Sequence, residues 1–138
     1  MSAIYQQLAA LLLPQEILSE PAGLLTDQRR RYTGTADLVL QPQSVEAVKT
    51  IMRFCFEHRI PVTPQGGNTG LCGAAVPRGG VLLNLSRLNR IRSISTADNA
   101  ITVEAGCVLH DVQQAAEGAG RFFPLSLASE GSCQIGGN

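Results

Sequence analysis

The chain has 138 residues, which is enough for about one domain, because domains typically contain about 100–200 residues. Hydrophobic residues make up 44% of the chain and charged residues 16%, so a buried core is feasible. The 11 basic side chains balance 11 acidic ones. This neutral balance argues against binding to nucleic acid or to an anionic membrane.

Cysteine and histidine are too scattered to predict a metal site or a disulfide framework. No two of the four cysteines form a CxxC pair: Cys55, Cys72, Cys107 and Cys133. His58 and His110 give no zinc-ligand spacing. We therefore expect no metal ion, and a reducing compartment fits the pattern.

The N-terminal residues lack the features of a targeting segment. No Lys or Arg precedes Arg29, whereas secretory signals start with basic residues and transit peptides are rich in Arg. The apolar run Leu8–Leu13 is shorter than the ~20 residues that span a bilayer. The short basic run Arg29–Arg31 is interpreted as a solvated turn. These features predict a cytoplasmic protein without a transmembrane segment.

The first elements alternate between helix and strand. Apolar residues at helical spacing predict a helix over residues 3–13, which Pro14 ends. Residues 19–37 are rich in turn formers and are expected to form a loop. The run Asp37–Gln41 predicts a short strand that Pro42 stops.

A capped helix and a buried strand follow. Ser44 is a good N-cap, and apolar residues at i, i+3 and i+4 continue the helix to about His58. The run Pro61–Pro64 predicts a buried strand that enters a glycine-rich loop. Strand, helix, strand and loop together indicate an α/β beginning.

The second half has shorter connections. Short strands are predicted at Val81–Leu85, Ile91–Ser95 and Ile101–Glu104, with a hairpin turn at 97–99 between the last two. Residues 108–119 share an apolar face and predict a helix that glycines end. The remaining stretch is first apolar and then rich in glycine.

The glycine-rich loop Pro64–Gly73 (PQGGNTGLCG) has the composition of a phosphate-binding loop. Glycine adopts positive φ and lets backbone N–H groups approach an anion, while Asn68 tolerates left-handed geometry. The loop lacks the GxGxxG of Rossmann folds and the GK[ST] of P-loops, so backbone amides would have to hold the phosphate. Taken alone, the loop is equally compatible with an ordinary turn between strands.

A second cluster, Pro124–Asn138 (PLSLASEGSCQIGGN), again places small residues and hydroxyls together. By itself it is also compatible with a core strand followed by a surface turn. Together the two segments resemble the PCMH-type FAD-binding domain of the vanillyl-alcohol-oxidase-like flavoproteins. The similarity is strongest to the branch of D-2-hydroxyacid dehydrogenases, which includes D-2-hydroxyglutarate dehydrogenase, FAD-linked D-lactate dehydrogenase and the glycolate oxidase flavin subunit. The resemblance also covers LLNLSRLNRI and ITVEAGCVL.

The resemblance implies which residues contact FAD. Amides of the first motif should hold the pyrophosphate, and the second motif should line the flavin and ribityl side. Pro64 and Pro124 should fix the backbone that enters each motif. The implied cofactor-binding residues are Pro64, Gln65, Gly66, Gly67, Asn68, Thr69, Gly70, Leu71, Pro124, Leu127, Ala128, Ser129, Gly131, Ser132, Ile135, Gly136 and Asn138.

Some relatives attach FAD covalently through a histidine or cysteine. The first-loop position here is Asn68, which cannot form such a bond, while Cys72 and Cys133 have the required thiols. We expect noncovalent FAD. His58 and His110 are expected to be structural, so no catalytic residue is assigned.

The fold class that follows is α+β, with a small α/β subdomain before the start of an antiparallel-strand subdomain. Residues 1–36 are expected to form a helical and loop extension, and 37–138 a truncated FAD-binding domain. The implied activity is oxidation of a D-2-hydroxyacid by hydride transfer to flavin, with reoxidation by an unidentified acceptor. Two alternatives are a non-catalytic FAD-binding module and a different flavin oxidoreductase built on the same domain.

We expect the 138-residue chain alone to be inactive and to bind FAD weakly or not at all. In the resembled family, further strands and the substrate site follow the second motif. Without them an apolar strand face would be uncovered, which favours homo-oligomerisation.

Overall fold

The computed structural model describes residues 2–21 and 23–138. Met1 and Ala22 lie outside the described residues, so the predicted extension 1–36 and loop 19–37 cannot be assessed at these two positions. The predicted loop holds isolated bridges between Thr26 and Thr33 and between Thr35 and Arg78. In the described ranges, no helix is long and apolar enough to cross a membrane.

Three parallel strands form the central sheet. The strands β1 (Leu38–Leu40), β2 (Val62–Gln65) and β3 (Val81–Asn84) lie in the order β1-β3-β2. Every residue of β1 and β3 is buried, as expected for parallel strands covered on both faces. The predicted strands are confirmed with ends that differ by one residue.

Two helices cover one face of this sheet. Helix α1 (Ala3–Ala10) contributes Leu8, and helix α2 (Val45–Glu57) contributes Ile51 and Cys55 to the core. In α2 the Ser44 hydroxyl accepts a hydrogen bond from the backbone N–H of Ala47 at 3.1 Å, which is the predicted cap.

The prediction that α1 extends to residue 13 was wrong. The helix ends at Ala10, and Leu13 is extended with φ −72° and ψ 143°. Pro14 explains the early end, because proline forces the residue before it out of the helical region.

The second half begins with a two-stranded antiparallel hairpin. Strands β4 (Ile91–Ser95) and β5 (Ala100–Val103) pair around the predicted turn, where Asn99 takes a left-handed φ of 51°. Helix α3 (Leu109–Gly118) follows and buries Leu109, Val112 and Ala116. The predicted helix starts one residue later than expected, because Val108 is extended and bridges to Gln134.

The carboxylate of Glu104 joins the hairpin to the chain that precedes it. Its side chain is only 2% exposed, and it accepts hydrogen bonds from Arg90 at 3.0 Å and Arg92 at 3.1 Å. The backbone N–H of Arg90 donates a further bond at 3.0 Å. These donors hold the pKa of Glu104 at about 2, with the Arg90 side chain as the largest cause.

Lowering the pH from about 4.5 to 2 should therefore weaken the fold through Glu104. A carboxylate with a lower pKa in the folded state adds stability above its unfolded pKa, and this stability is lost as the pH falls through the folded value. The melting temperature, measured across this pH window, should fall more steeply with decreasing pH for the wild type than for Glu104→Gln. The exposed Glu117→Gln serves as the control, and equal pH slopes for wild type and Glu104→Gln would contradict the assignment.

Candidate functional site

Buried amide side chains connect the three parallel strands at their carboxyl ends. Asn84, at the end of β3, accepts from Gln41 Nε2 at 3.0 Å and donates to Gln65 Oε1 at 3.2 Å. Its Nδ2 also reaches the carbonyl of Gly66 at 3.3 Å, and its Oδ1 accepts from Ser86 Oγ at 2.5 Å. The strand order places β3 between β1 and β2, so one side chain can bridge both neighbours.

Gln65 holds the two ends of the glycine-rich loop together. Its Nε2 donates to the carbonyl of Ala75 at 3.1 Å and to that of Leu24 at 2.8 Å. The residue is only 2% exposed, so its side chain is committed to the protein interior. Any cofactor contact by Gln65 is therefore left to its backbone.

Asn68 takes the left-handed conformation in the loop, with φ 52°. Its Nδ2 donates to the carbonyl of Thr26 at 2.7 Å and to that of Gly23 at 3.3 Å. The tolerance of Asn68 for this geometry was anticipated. The expectation that the motif glycines adopt positive φ was wrong for Gly66, Gly67 and Gly70, and holds for Gly73 at 75°.

The loop carries a continuous series of unused backbone donors. Within residues 2–21 and 23–138, no backbone N–H from Gly66 to Ala75 donates a hydrogen bond. Successive unpaired amides that converge in a turn can bind an anion without any lysine. The loop residues therefore fit a diphosphate held by backbone groups, and their contact with FAD stays a prediction.

Most backbone N–H groups of the second motif donate hydrogen bonds within the protein. Its chain runs alongside residues 105–110 and is fixed by hydrogen bonds that join Ile135 to Cys107, Leu109 to Cys133 and Gly136 to Ala105, at 2.8–3.0 Å. Residues 133–136 are therefore held against residues 105–110, whereas the first loop offers free donors.

The two motifs meet where Gly66 and Gly67 of the first loop contact Ser132 and Gln134 of the second, and this contact is called the seam. A Cβ on Gly67 would overlap the carbonyl oxygen of Ser132, and a Cβ on Gly66 would lie 3.2 Å from Gln134 Oε1. Glycine at these positions lets the two backbones touch. Around Gly70 there is open space, so its lack of a side chain serves no packing contact.

Other predicted site residues lie at different depths around this seam. Leu71 is 50% exposed and Leu127 is 38% exposed, so both present apolar surface. Gly136 packs against Ala105, where a Cβ would come within 2.7 Å of the alanine side chain. Most of the remaining predicted residues are exposed or partly exposed: Pro64, Thr69, Ala128, Ser129, Gly131, Ile135 and Asn138.

Pro124 belongs to a separate cavity of about 490 Å³. Helix α3 lines it with Gln113, and Glu130 of the second motif closes it. Gln113 Nε2 donates to Glu130 at 3.3 Å and lowers the pKa of that carboxyl, with Ser126 assisting. None of the first-motif residues lines this cavity.

A second cavity of about 410 Å³ lies at the far end of the glycine-rich loop. Its wall includes Cys72, Gly73, Arg31 and Arg78. The two guanidinium groups make no ion pair within the described part of the chain. They add positive charge beside a loop that already offers N–H donors, which favours an anionic ligand.

Both histidines have structural surroundings. The ring of His58 packs on Phe54 with centroids 4.1 Å apart, at the end of α2. His110 is exposed, and its ring lies 3.0 Å from the side-chain amide of Gln114. Among the described residues, no group of three or more His, Cys, Asp or Glu could hold a metal ion.

The sequence-based site missed Asn84, Gln41 and Gln134. Asn84 is a polar residue at the end of the apolar run VLLN, and an amide there could have indicated a buried hydrogen-bond network. Gln41 carries no such indication, because its partners Asn84 and Ser86 come from a distant part of the chain. Gln134 carries none either, because its place beside Gly66 depends on the fold.

The matches to known proteins agree with this geometry. Residues 36–138 match the family model of the FAD binding domain. The chain therefore belongs to the FAD binding domain family, and its cofactor is FAD. The fold also matches alkyldihydroxyacetonephosphate synthase, with a TM-score of 0.85 and 18% identity over 99% of this chain and 28% of that one.

Among curated proteins, the chain is similar to mitochondrial D-2-hydroxyglutarate dehydrogenase of Danio rerio. The two are 37% identical over 92% of this chain and 25% of that protein. It is also 35% identical to the D-2-hydroxyglutarate–pyruvate transhydrogenase of Saccharomyces cerevisiae, over 91% of this chain and 26% of that protein. The chain thus spans about a quarter of the length of these relatives.

Gly67→Ala should disrupt the seam, whereas Gly70→Ala should not. The added methyl group at residue 67 meets the Ser132 carbonyl, a backbone atom that can move only with the second motif. Overpacking of this kind typically costs about 1–3 kcal/mol. Urea unfolding of both variants measures the difference, and an equal loss of stability would show that the motifs do not touch there.

Proposed function

We propose that this chain is the FAD-binding part of an oxidoreductase that acts on a D-2-hydroxyacid. The observation that supports this most directly is the row of free amides at Gly66–Ala75, in a chain that resembles D-2-hydroxyglutarate dehydrogenases along most of its length. The names of those relatives favour D-2-hydroxyglutarate as substrate. D-lactate and glycolate remain in the same chemical class.

In this proposal the residues of the chain hold and orient the cofactor. Amides of the first loop bind the diphosphate, the second motif forms the wall along the flavin side, and Arg31 and Arg78 contribute positive charge. FAD, when bound, supplies the acceptor for the hydride that leaves the α-carbon of the hydroxyacid. We assign no proton acceptor to His58 or His110, since the ring of His58 packs on Phe54 and the exposed ring of His110 lies beside Gln114.

We propose residues 37–138 as the FAD-binding domain and 1–36 as an extension that packs on it. The fully buried Leu8 supports this packing, because α1 contributes to the same core as the sheet.

Association of copies is proposed through the β4–β5 hairpin, where Ile91 and Ile94 are 37% and 40% exposed. A cytoplasmic location is also proposed. Because the Danio rerio relative is named mitochondrial, cell fractionation should test this location.

Substrate oxidation should be tested on the protein in its full encoded length. We expect D-2-hydroxyglutarate to bleach the flavin absorbance without oxygen and to reduce an artificial dye, with D-lactate and glycolate compared at equal concentration. L-2-hydroxyglutarate is the matched control. Flavin that no hydroxyacid bleaches would favour the non-catalytic module, and bleaching by a simple alcohol would favour another oxidoreductase class.

Noncovalent attachment can be tested by acid precipitation. We expect the yellow cofactor to remain in the supernatant as intact FAD, and Cys72→Ser to leave the flavin content unchanged. Cys72 is exposed at the loop, whereas Cys133, within the second motif, is 2% exposed. Flavin that stays with the precipitate in the wild type and is released by Cys72→Ser would show a thioether bond.

A further inference from the structure

Gln134 carries a buried polar atom without a partner. The residue is only 8% exposed, and its Oε1 atom accepts no hydrogen bond within residues 2–21 and 23–138. Leaving a buried acceptor unpaired typically costs about 1–3 kcal/mol. Most buried polar atoms in folded proteins have a protein or water partner, so an unpaired one calls for an explanation.

This atom lies at the seam between the two motifs. It is 3.2 Å from the position that a Cβ on Gly66 would occupy, at the start of the row of free amides. The backbone of Gln134 is fixed by its bridge to Val108, and its neighbours are bonded to Cys107 and Leu109. The acceptor therefore has a fixed place beside the proposed diphosphate.

The chemistry of an amide oxygen limits what it can bind. It accepts hydrogen bonds, and diphosphate oxygens at neutral pH also only accept, so the two cannot pair directly. In FAD the groups that flank the diphosphate and carry hydroxyl donors are the ribityl chain on one side and the ribose on the other. Either supplies the hydrogen that the oxygen of Gln134 lacks.

We propose that Gln134 Oε1 accepts a hydrogen bond from a sugar hydroxyl adjacent to the diphosphate. This residue then distinguishes a nucleotide from a bare diphosphate, while the amides of the loop recognise the charge. The inference rests on the proposed binding of FAD by this chain. It assigns a specificity-determining role to a residue in the otherwise rigid second motif.

The test uses Gln134→Leu in the protein of full encoded length, with Gln7→Leu on the exposed surface of α1 as the matched control. Replacing an unpaired buried amide by an apolar group of similar size should leave the melting temperature of the ligand-free chain unchanged or higher. The same variant should bind FAD about tenfold more weakly, as measured by flavin fluorescence titration up to millimolar cofactor.

Displacement of FAD by simpler ligands identifies the hydroxyl. Weaker binding of FMN but not ADP by Gln134→Leu assigns the ribityl chain, and the reverse assigns the ribose. Inorganic pyrophosphate should bind wild type and variant equally, because it offers no hydroxyl donor.

Three outcomes overturn the inference while the wild type still binds FAD. They are a lower melting temperature of the ligand-free variant than of the control, an unchanged FAD affinity, and an equal loss of affinity for pyrophosphate and FAD. The first and third would show that Gln134 maintains the seam itself. A wild-type protein of full encoded length without saturable FAD binding overturns the proposed function and this inference together.

Discussion

The hydrogen bonds of Asn84 are the contacts on which the site depends. Parallel strands end at a common edge, and their last backbone groups need partners that a loop alone does not supply. Asn84 donates to the carbonyl of Gly66, the first residue after β2, and Gln65 donates to those of Leu24 and Ala75, so side-chain amides fix where the glycine-rich loop leaves the sheet. Because these groups are buried, loss of one partner leaves the other unsatisfied, and the network holds as a unit.

In the proposed site the two motifs have different roles. The backbone N–H groups of the first loop are free, and the side chains of Gln65, Asn68 and Asn84 hold the loop in place through hydrogen bonds to backbone carbonyls. The second motif uses its backbone groups to pack against residues 105–110 and turns a fixed surface towards the loop. Preorganisation of this kind lowers the ordering cost of binding, since neither segment must fold around the ligand.

Local patterns in the sequence predicted the elements well but could not reveal their arrangement. Periodicity and the Ser44 cap gave helix α2, and apolar runs gave β1 and β3, because these depend on neighbouring residues. The strand order β1-β3-β2, and with it the role of Asn84, depends on contacts between distant segments. The packing of Gly67 also depends on a distant segment. Its predicted role was to let a ligand approach the backbone, but its lack of a side chain also makes room for the Ser132 carbonyl.

The bonds from Asn68 to the turn at 23–26 couple the loop to the chain that precedes the sheet. Both amide hydrogens of Asn68 are directed at carbonyls of that turn, and Gln65 reaches Leu24 from the other side. An anion bound at the loop therefore also stabilises the N-terminal segment, including the arginines at 29–31. The susceptibility of those arginines to trypsin thus becomes a remote reporter of whether the glycine-rich loop is occupied.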